Sequence, residues 1–212
     1  MAGPIGSSQF MYSSGSSAFY EYQIEQSARF DRASESGLQW GGTGSNTLGT
    51  STNADKYTWS AWIKRGLIGN LYMNILHGHT GSNGINTAFD HSAGDDTLGV
   101  STSAGVEGGD TTRLFRDVTG WFHIVIAWDT TDGTNANRLK VYLNGSEIDS
   151  FDDSLSQNLD VAYNVSGNRH YIGRNKGNGY SFDGYMAEIN SIDGQQLTPT
   201  SFGESKNGVW VP

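Results

Sequence analysis

Apolar residues recur at every second position in several runs of this 212-residue chain, the period of a strand with one face buried. In YTWSAWIKR, Tyr57, Trp59, Ala61 and Ile63 share one parity, and Thr58, Ser60, Trp62 and Lys64 the other. In WFHIVIAWD, Phe122, Ile124, Ile126 and Trp128 form an apolar row, while Trp121, His123, Val125, Ala127 and Asp129 face the other way. A strand apolar on both faces belongs in the middle of a sheet, covered on both sides. RLKVYLNG sets Leu139, Val141 and Leu143 against Arg138, Lys140, Tyr142 and Asn144, then reaches Asn144-Gly145, a favoured two-residue hairpin turn. The spacing predicts further strands over 24–31, 71–77, 97–101, 112–116, 147–151, 169–174 and 180–192. Thr198 before Pro199 predicts an N-cap and a single helical turn in TPTSFGE.

Composition agrees with many short strands joined by turns. The chain has 29 Gly, 3 Pro and 12% aromatic residues, and its apolar runs are separated by Ser, Thr, Asn and Gly clusters. The expected fold is all-β, a single antiparallel sandwich over residues 24–212. Residues 1–23 differ: they are rich in Gly and Ser but punctuated by Phe10, Met11, Tyr12, Phe19 and Tyr20. Such a segment cannot build a core, and its aromatics suit grooves on another subunit, so an extended docking arm is expected.

Charge and cysteine content remove several classes of function. A formal net charge of −9 and a pI near 4.8 oppose binding to phosphate backbones. Without cysteine there is no disulfide framework, zinc-thiolate site or thiol nucleophile. MAGPIGSSQFMYSSGSS has neither a basic leader nor an apolar core of signal-peptide length, and no stretch approaches a membrane span of roughly 20 apolar residues. Neither secretion by a signal peptide nor membrane insertion is expected.

Three sets of residues carry candidate chemistry. His77 and His79 in LHGHT share a strand face but lack a third ligand in register. Asp90, His91, Asp95 and Asp96 in FDHSAGDDT, with Asp129, Asp132 and Asn135 in WDTTDGTNAN, offer hard oxygen ligands of the kind calcium takes, without the spacing of a calcium loop. Asp90, Asp95 and Asp96 are the candidate calcium ligands; no other cofactor is indicated. Trp40, Trp62, Tyr72, Tyr142 and Tyr180 lie off the clearest inward rows, and exposed aromatic faces would stack on sugar rings or on a protein partner.

IEQSARFD, YTWSAWIKRG, GWFHIVIAWDTT, RLKVYLNG, YIGRN and FDGYMAEINSIDGQQLTPTSFGE together resemble the concanavalin A-like (laminin G-like) jelly roll, over residues 24 to about 205. The resemblance extends to its versions in virion proteins of marine bacteriophages. It implies a multicopy or homo-oligomeric protein on the surface of a phage particle, contacting a major capsid protein or tail proteins. A capsid decoration role is preferred to that of a tail-fibre or tail-appendage adhesin for host glycans. Members of this fold often bind calcium at the sandwich rim, and its glucanases carry Glu-x-Asp-x-x-Glu. The matching positions are Glu188, Asn190 and Asp193: the central acid is an amide and the outer one is a methylene shorter. Retaining glycosidases need two carboxyls about 5–5.5 Å apart, and residues five apart on a strand face opposite sides unless a bulge intervenes. Asp193-Gly194 reads as a turn leaving the strand. A non-catalytic protein is expected, with a laminarinase-like hydrolase as the least favoured reading.

Overall fold

The computed structural model describes residues 24–41, 51–69, 71–80, 83–90, 96–102, 108–148, 155–161, 168–177 and 179–212. The docking arm with Phe10, Met11, Tyr12, Phe19 and Tyr20 lies outside them. Among the described residues fourteen strands run in chain order: β1 (Ala28–Phe30), β2 (Leu38–Gly41), β3 (Lys56–Arg65), β4 (Met73–Thr80), β5 (Asn83–Phe89), β6 (Leu98–Thr102), β7 (Gly108–Asp110), β8 (Phe122–Asp129), β9 (Leu139–Leu143), β10 (Ser146–Glu147), β11 (Arg169–Ile172), β12 (Gly184–Asp193), β13 (Glu204–Lys206) and β14 (Val209–Val211). One sheet has the order β1-β12-β3-β8-β9-β10 and the second β2-β11-β4-β5-β6-β7; β13 and β14 pair separately. All these pairings are antiparallel.

The inward rows are those the alternation predicts. Tyr57, Trp59, Ala61 and Ile63 of β3, Phe122, Ile124, Ile126 and Trp128 of β8, and Leu139 and Val141 of β9 pack with Met73, Ile75, Ile85, Phe89, Leu98 and Val100 of the second sheet. A jelly-roll sandwich results, its core drawn from both sheets. Asn144 and Gly145 both take positive φ (48° and 81°), the geometry of a type I′ turn, and join β9 to β10. Position 145 needs glycine twice over, since a Cβ there would lie 2.4 Å from the Trp210 ring. Pro199 opens a 3-10 turn, Pro199–Ser201, after Thr198, whose side chain makes no capping bond.

Several elements differ from expectation. Residues 112–116 form no strand: the Phe115 amide donates to Asp96 O (2.8 Å) and its carbonyl accepts from Arg65, so its backbone groups serve a loop clamp rather than a ladder. β10 stops at Glu147, β11 at Ile172, and β1 is shorter than 24–31. β2, β5, β7, β13 and β14 arise where no strand was predicted.

Much of the outer face of the first sheet, over β3, β8 and β9, is also buried. Thr58, Ser60, Trp62, His123, Val125, Ala127 and Tyr142 lie on the parity opposite to the core, yet each is at most 9% exposed. Residues 195–212 cover them. Thr58 Oγ1 donates to Gln195 O (2.7 Å) and accepts from the Leu197 amide (2.8 Å). Gln196 donates to Asn137 O (2.8 Å) and Ala127 O (3.4 Å), and Phe202 packs on Val125, Ala127 and Tyr142. Trp62 and Tyr142 are therefore not outside, as their parity suggested: the chain's own C-terminal segment takes the place of a partner.

Candidate functional site

The residues at the glucanase-like spacing lie on β12, which carries the bulge that a catalytic pairing would require. Register shifts between Ala187 and Asn190, and Glu188 takes a left-handed φ of 47°. Glu188 is exposed. Asn190 donates to Ser60 Oγ (3.3 Å) and to Glu188 O (2.9 Å). Asp193 is bound to the segment preceding β3: it accepts from Ser51 Oγ (2.7 Å), the Thr52 amide (2.5 Å) and Thr52 Oγ1 (2.7 Å). Burial alone would raise its pKa, but these bonds hold the carboxyl below the ordinary Asp value. The arrangement keeps Asp193 ionised and fastens the end of β12; Gly194 turns away with φ 74°.

The calcium candidates are engaged elsewhere. Asp90 and Asp96 both face Arg65, at 3.4 and 3.2 Å, whose side chain is fully buried. Arg65 also donates to Phe115 O (2.5 Å) and lies 4.5 Å from the Phe89 ring centre. A guanidinium thus stands between two of the three candidate calcium ligands and pairs with both. Asp95 and His91 lie outside the described residues. Asp129 pairs with Lys56 (2.7 Å) and accepts from Thr131 Oγ1 (2.5 Å). His77 packs against Tyr171. Among the described residues no group of three or more His, Asp or Glu side chains assembles to hold a metal.

The candidate aromatics divide into three places. Trp40 packs against the core with its ring stacked on His170 (5.4 Å). Tyr72 and Tyr180, distant in sequence, meet at 4.6 Å, with Tyr180 exposed. Tyr142 is under Phe202, and Trp62 is the base of an aromatic stack that the sequence did not reveal. The His123 ring stacks on Trp62 (5.1 Å) and on Trp210 (6.1 Å), and Trp210 Nε1 donates to His123 Nδ1 (3.1 Å).

Trp62 and Trp210 of this stack line an open cleft of about 570 Å³, together with Glu25, Gln26, Trp121 and Val209. Trp121 and Val209 are exposed, and Trp121 contacts Tyr185 at 6.4 Å. Trp121 and Trp210 were missed as site residues. Trp121 begins the outward row of β8, and Trp210 stands between two valines at strand spacing; those were the available signals.

Burial lowers the His123 pKa to about 4, from 6.5. A group depressed in the folded state binds protons mainly on unfolding, so stability present above pH 6.5 should fall as pH drops toward 4, by about 3 kcal/mol. Protonation also removes the acceptor for the Trp210 indole. Thermal melts of the parent should decline between pH 7 and 4.5, whereas His123→Gln should be nearly flat over that window. Equal slopes would show that His123 is not the titrating group.

Residues 35–200 match the family model of the concanavalin A-like lectin/glucanases superfamily. Comparison with curated protein sequences gives no match. Among solved structures, domain 4 of AbnA, a GH43 extracellular arabinanase from Geobacillus stearothermophilus, in complex with arabinotriose, is similar with a TM-score of 0.60. It is 20% identical over 85% of this chain and 76% of that one. The CBM40 of the Ruminococcus gnavus IT-sialidase, bound to α2,3-sialyllactose, has a TM-score of 0.53 and 12% identity, over 84% of this chain and 95% of that one. At these identities the likeness is one of fold, and it agrees with the two-sheet order and the family match: this chain belongs to the concanavalin A-like lectin/glucanase superfamily.

Proposed function

We propose that this chain is a non-catalytic, lectin-like module that binds carbohydrate. The observation that carries this reading is the state of the glucanase-like strand on an otherwise intact sandwich. One outer position is an exposed Glu188 at a bulge, the middle one is an amide, and the last is a carboxylate bonded to Ser51 and Thr52 and held ionised. A general acid needs a carboxyl that keeps its proton near working pH, and Asp193 is shifted the other way. The two similar structures that were solved with arabinotriose and with sialyllactose support a sugar as the ligand class. Purified protein should release no reducing sugar from β-glucans yet bind selectively on a glycan array. Turnover abolished by Glu188→Gln would overturn the non-catalytic reading.

The finer reading places this module on the surface of a bacteriophage particle, as a capsid decoration protein or as a tail appendage. It is supported by the resemblance of FDGYMAEINSIDGQQLTPTSFGE and by the adjacent exposed Leu67 and Ile68, apolar side chains suited to a neighbouring subunit. Tight binding to capsids favours decoration; attachment to tails favours the appendage.

A further inference from the structure

We infer that Trp121 is the platform of a site for a neutral oligosaccharide, with sugar units on both sides of its ring. This deepens the carbohydrate-binding reading and rests on it. Trp121 is 41% exposed immediately before β8. It borders two hollows. One is the cleft of about 570 Å³; the other is a smaller hollow of about 170 Å³, lined also by Arg113, Leu114, Asp117 and Asn144. The larger lies within the usual range for a bound small molecule and the smaller does not, so a ligand that uses both must extend across the tryptophan between them. Tyr185, 40% exposed, lies beside it with ring centres 6.4 Å apart, and the Arg29 guanidinium sits over the Tyr185 ring (5.3 Å).

A pyranose presents apolar C–H faces and a rim of hydroxyls, and the walls match both. Indole rings offer stacking surfaces, and Glu25, Gln26 and Ser27, with a carboxylate, an amide and a hydroxyl, also line the larger cleft. Glu25 is the charged side chain there, on a protein of net charge −9, so an anionic sugar would meet repulsion where a hydroxyl would find an acceptor. In the smaller hollow the exposed Arg113 supplies donors for hydroxyl oxygens. The site is built before the ligand arrives: Trp210 is fixed by its bond to His123 and by its packing on Gly145, and Trp62 is pinned under the same imidazole. These two rings need little ordering on binding.

The test titrates the purified chain with neutral gluco-, xylo- and manno-oligosaccharides of one to six units, and with sialyllactose and oligogalacturonates as acidic sugars. Binding is read by calorimetry and by tryptophan fluorescence. Affinity for one neutral series should rise from the monosaccharide to the trisaccharide and then level. Trp121→Ala should weaken it at least tenfold with the melting temperature unchanged, as expected for an exposed ring. Undiminished binding by Trp121→Ala, or loss in Tyr180→Ala instead, would move the site and leave the lectin reading standing. Binding of acidic sugars alone would overturn the neutral class. No binding of any sugar by the parent chain or on the array would remove the lectin reading together with this site.

Discussion

Trp128→Ala should lower the stability of the sandwich by about 3–5 kcal/mol, the cost of emptying a tryptophan-sized volume from a close-packed core. Trp128 is 1% exposed, paired with Tyr57 on β3 and Leu139 on β9, and it belongs to the cluster shared by the two sheets. A loss of that size is a large share of a marginal domain's total stability, so the variant should be partly unfolded at moderate temperature. Tyr142→Ala makes the informative comparison. By parity it points away from the core, but Phe202 covers it, and it should cost about 1.5–3 kcal/mol, the usual value of one buried large side chain. Its cost should shrink in a Phe202→Ala background, because the two share one contact. Guanidinium denaturation of the two singles and the double measures both effects. If Trp128→Ala stayed within 1 kcal/mol of the parent, the inward row would be wrongly assigned.

That comparison also marks what the sequence could tell. The rows on β3, β8 and β9 were legible because these strands are long and their alternation is unbroken, and Asn144-Gly145 specifies its turn chemically. β2, with LQWG, and β7, with GGD, are short and present no alternation against which to read a face. The cover over the outer face was illegible for another reason. Trp62, Val125, Ala127 and Tyr142 are apolar on the outward parity, but residues 195–212 are largely polar and distant in sequence, with Phe202 and Trp210 as their main apolar contacts. The cleft brings together residues 24–27, 62, 121 and 209–212; no local pattern encodes such a convergence. One signal was overlooked. Arg65 continues the inward parity of Tyr57, Trp59, Ala61 and Ile63, and a guanidinium on a core row requires carboxylates to meet it, which the acidic 90–96 segment supplies.

Arg65→Met should cost about 3–5 kcal/mol, because it removes one side of a buried ion cluster and leaves charge without a counter-ion. Arg65 is 1% exposed; burial lowers its pKa, and Asp96 and Asp90 oppose that shift. Asp96 shows the other side of the balance. Burial would raise its pKa, but the Gly69 amide (2.9 Å), Arg116 (3.1 Å) and Arg65 (3.2 Å) hold it below the ordinary Asp value. The stability from Asp96 is present above an unfolded pKa near 3.8 and is lost as pH falls through the lower folded value. Without Arg65 the carboxyl moves up, toward the value that burial favours, so the deficit of the variant should narrow on acidification from pH 7 to 4. The triple change Arg65→Met, Asp90→Asn, Asp96→Asn should recover part of the loss at pH 7, since no unpaired charge then remains buried. Added calcium should leave the parent's melting temperature unmoved, because the guanidinium already stands between the two acids. Urea denaturation at the two pH values decides the matter: an Arg65→Met protein as stable as the parent, or a deficit that grows with acid, would mean that Arg65 does not neutralise these carboxylates and that Asp90 and Asp96 are held by something else.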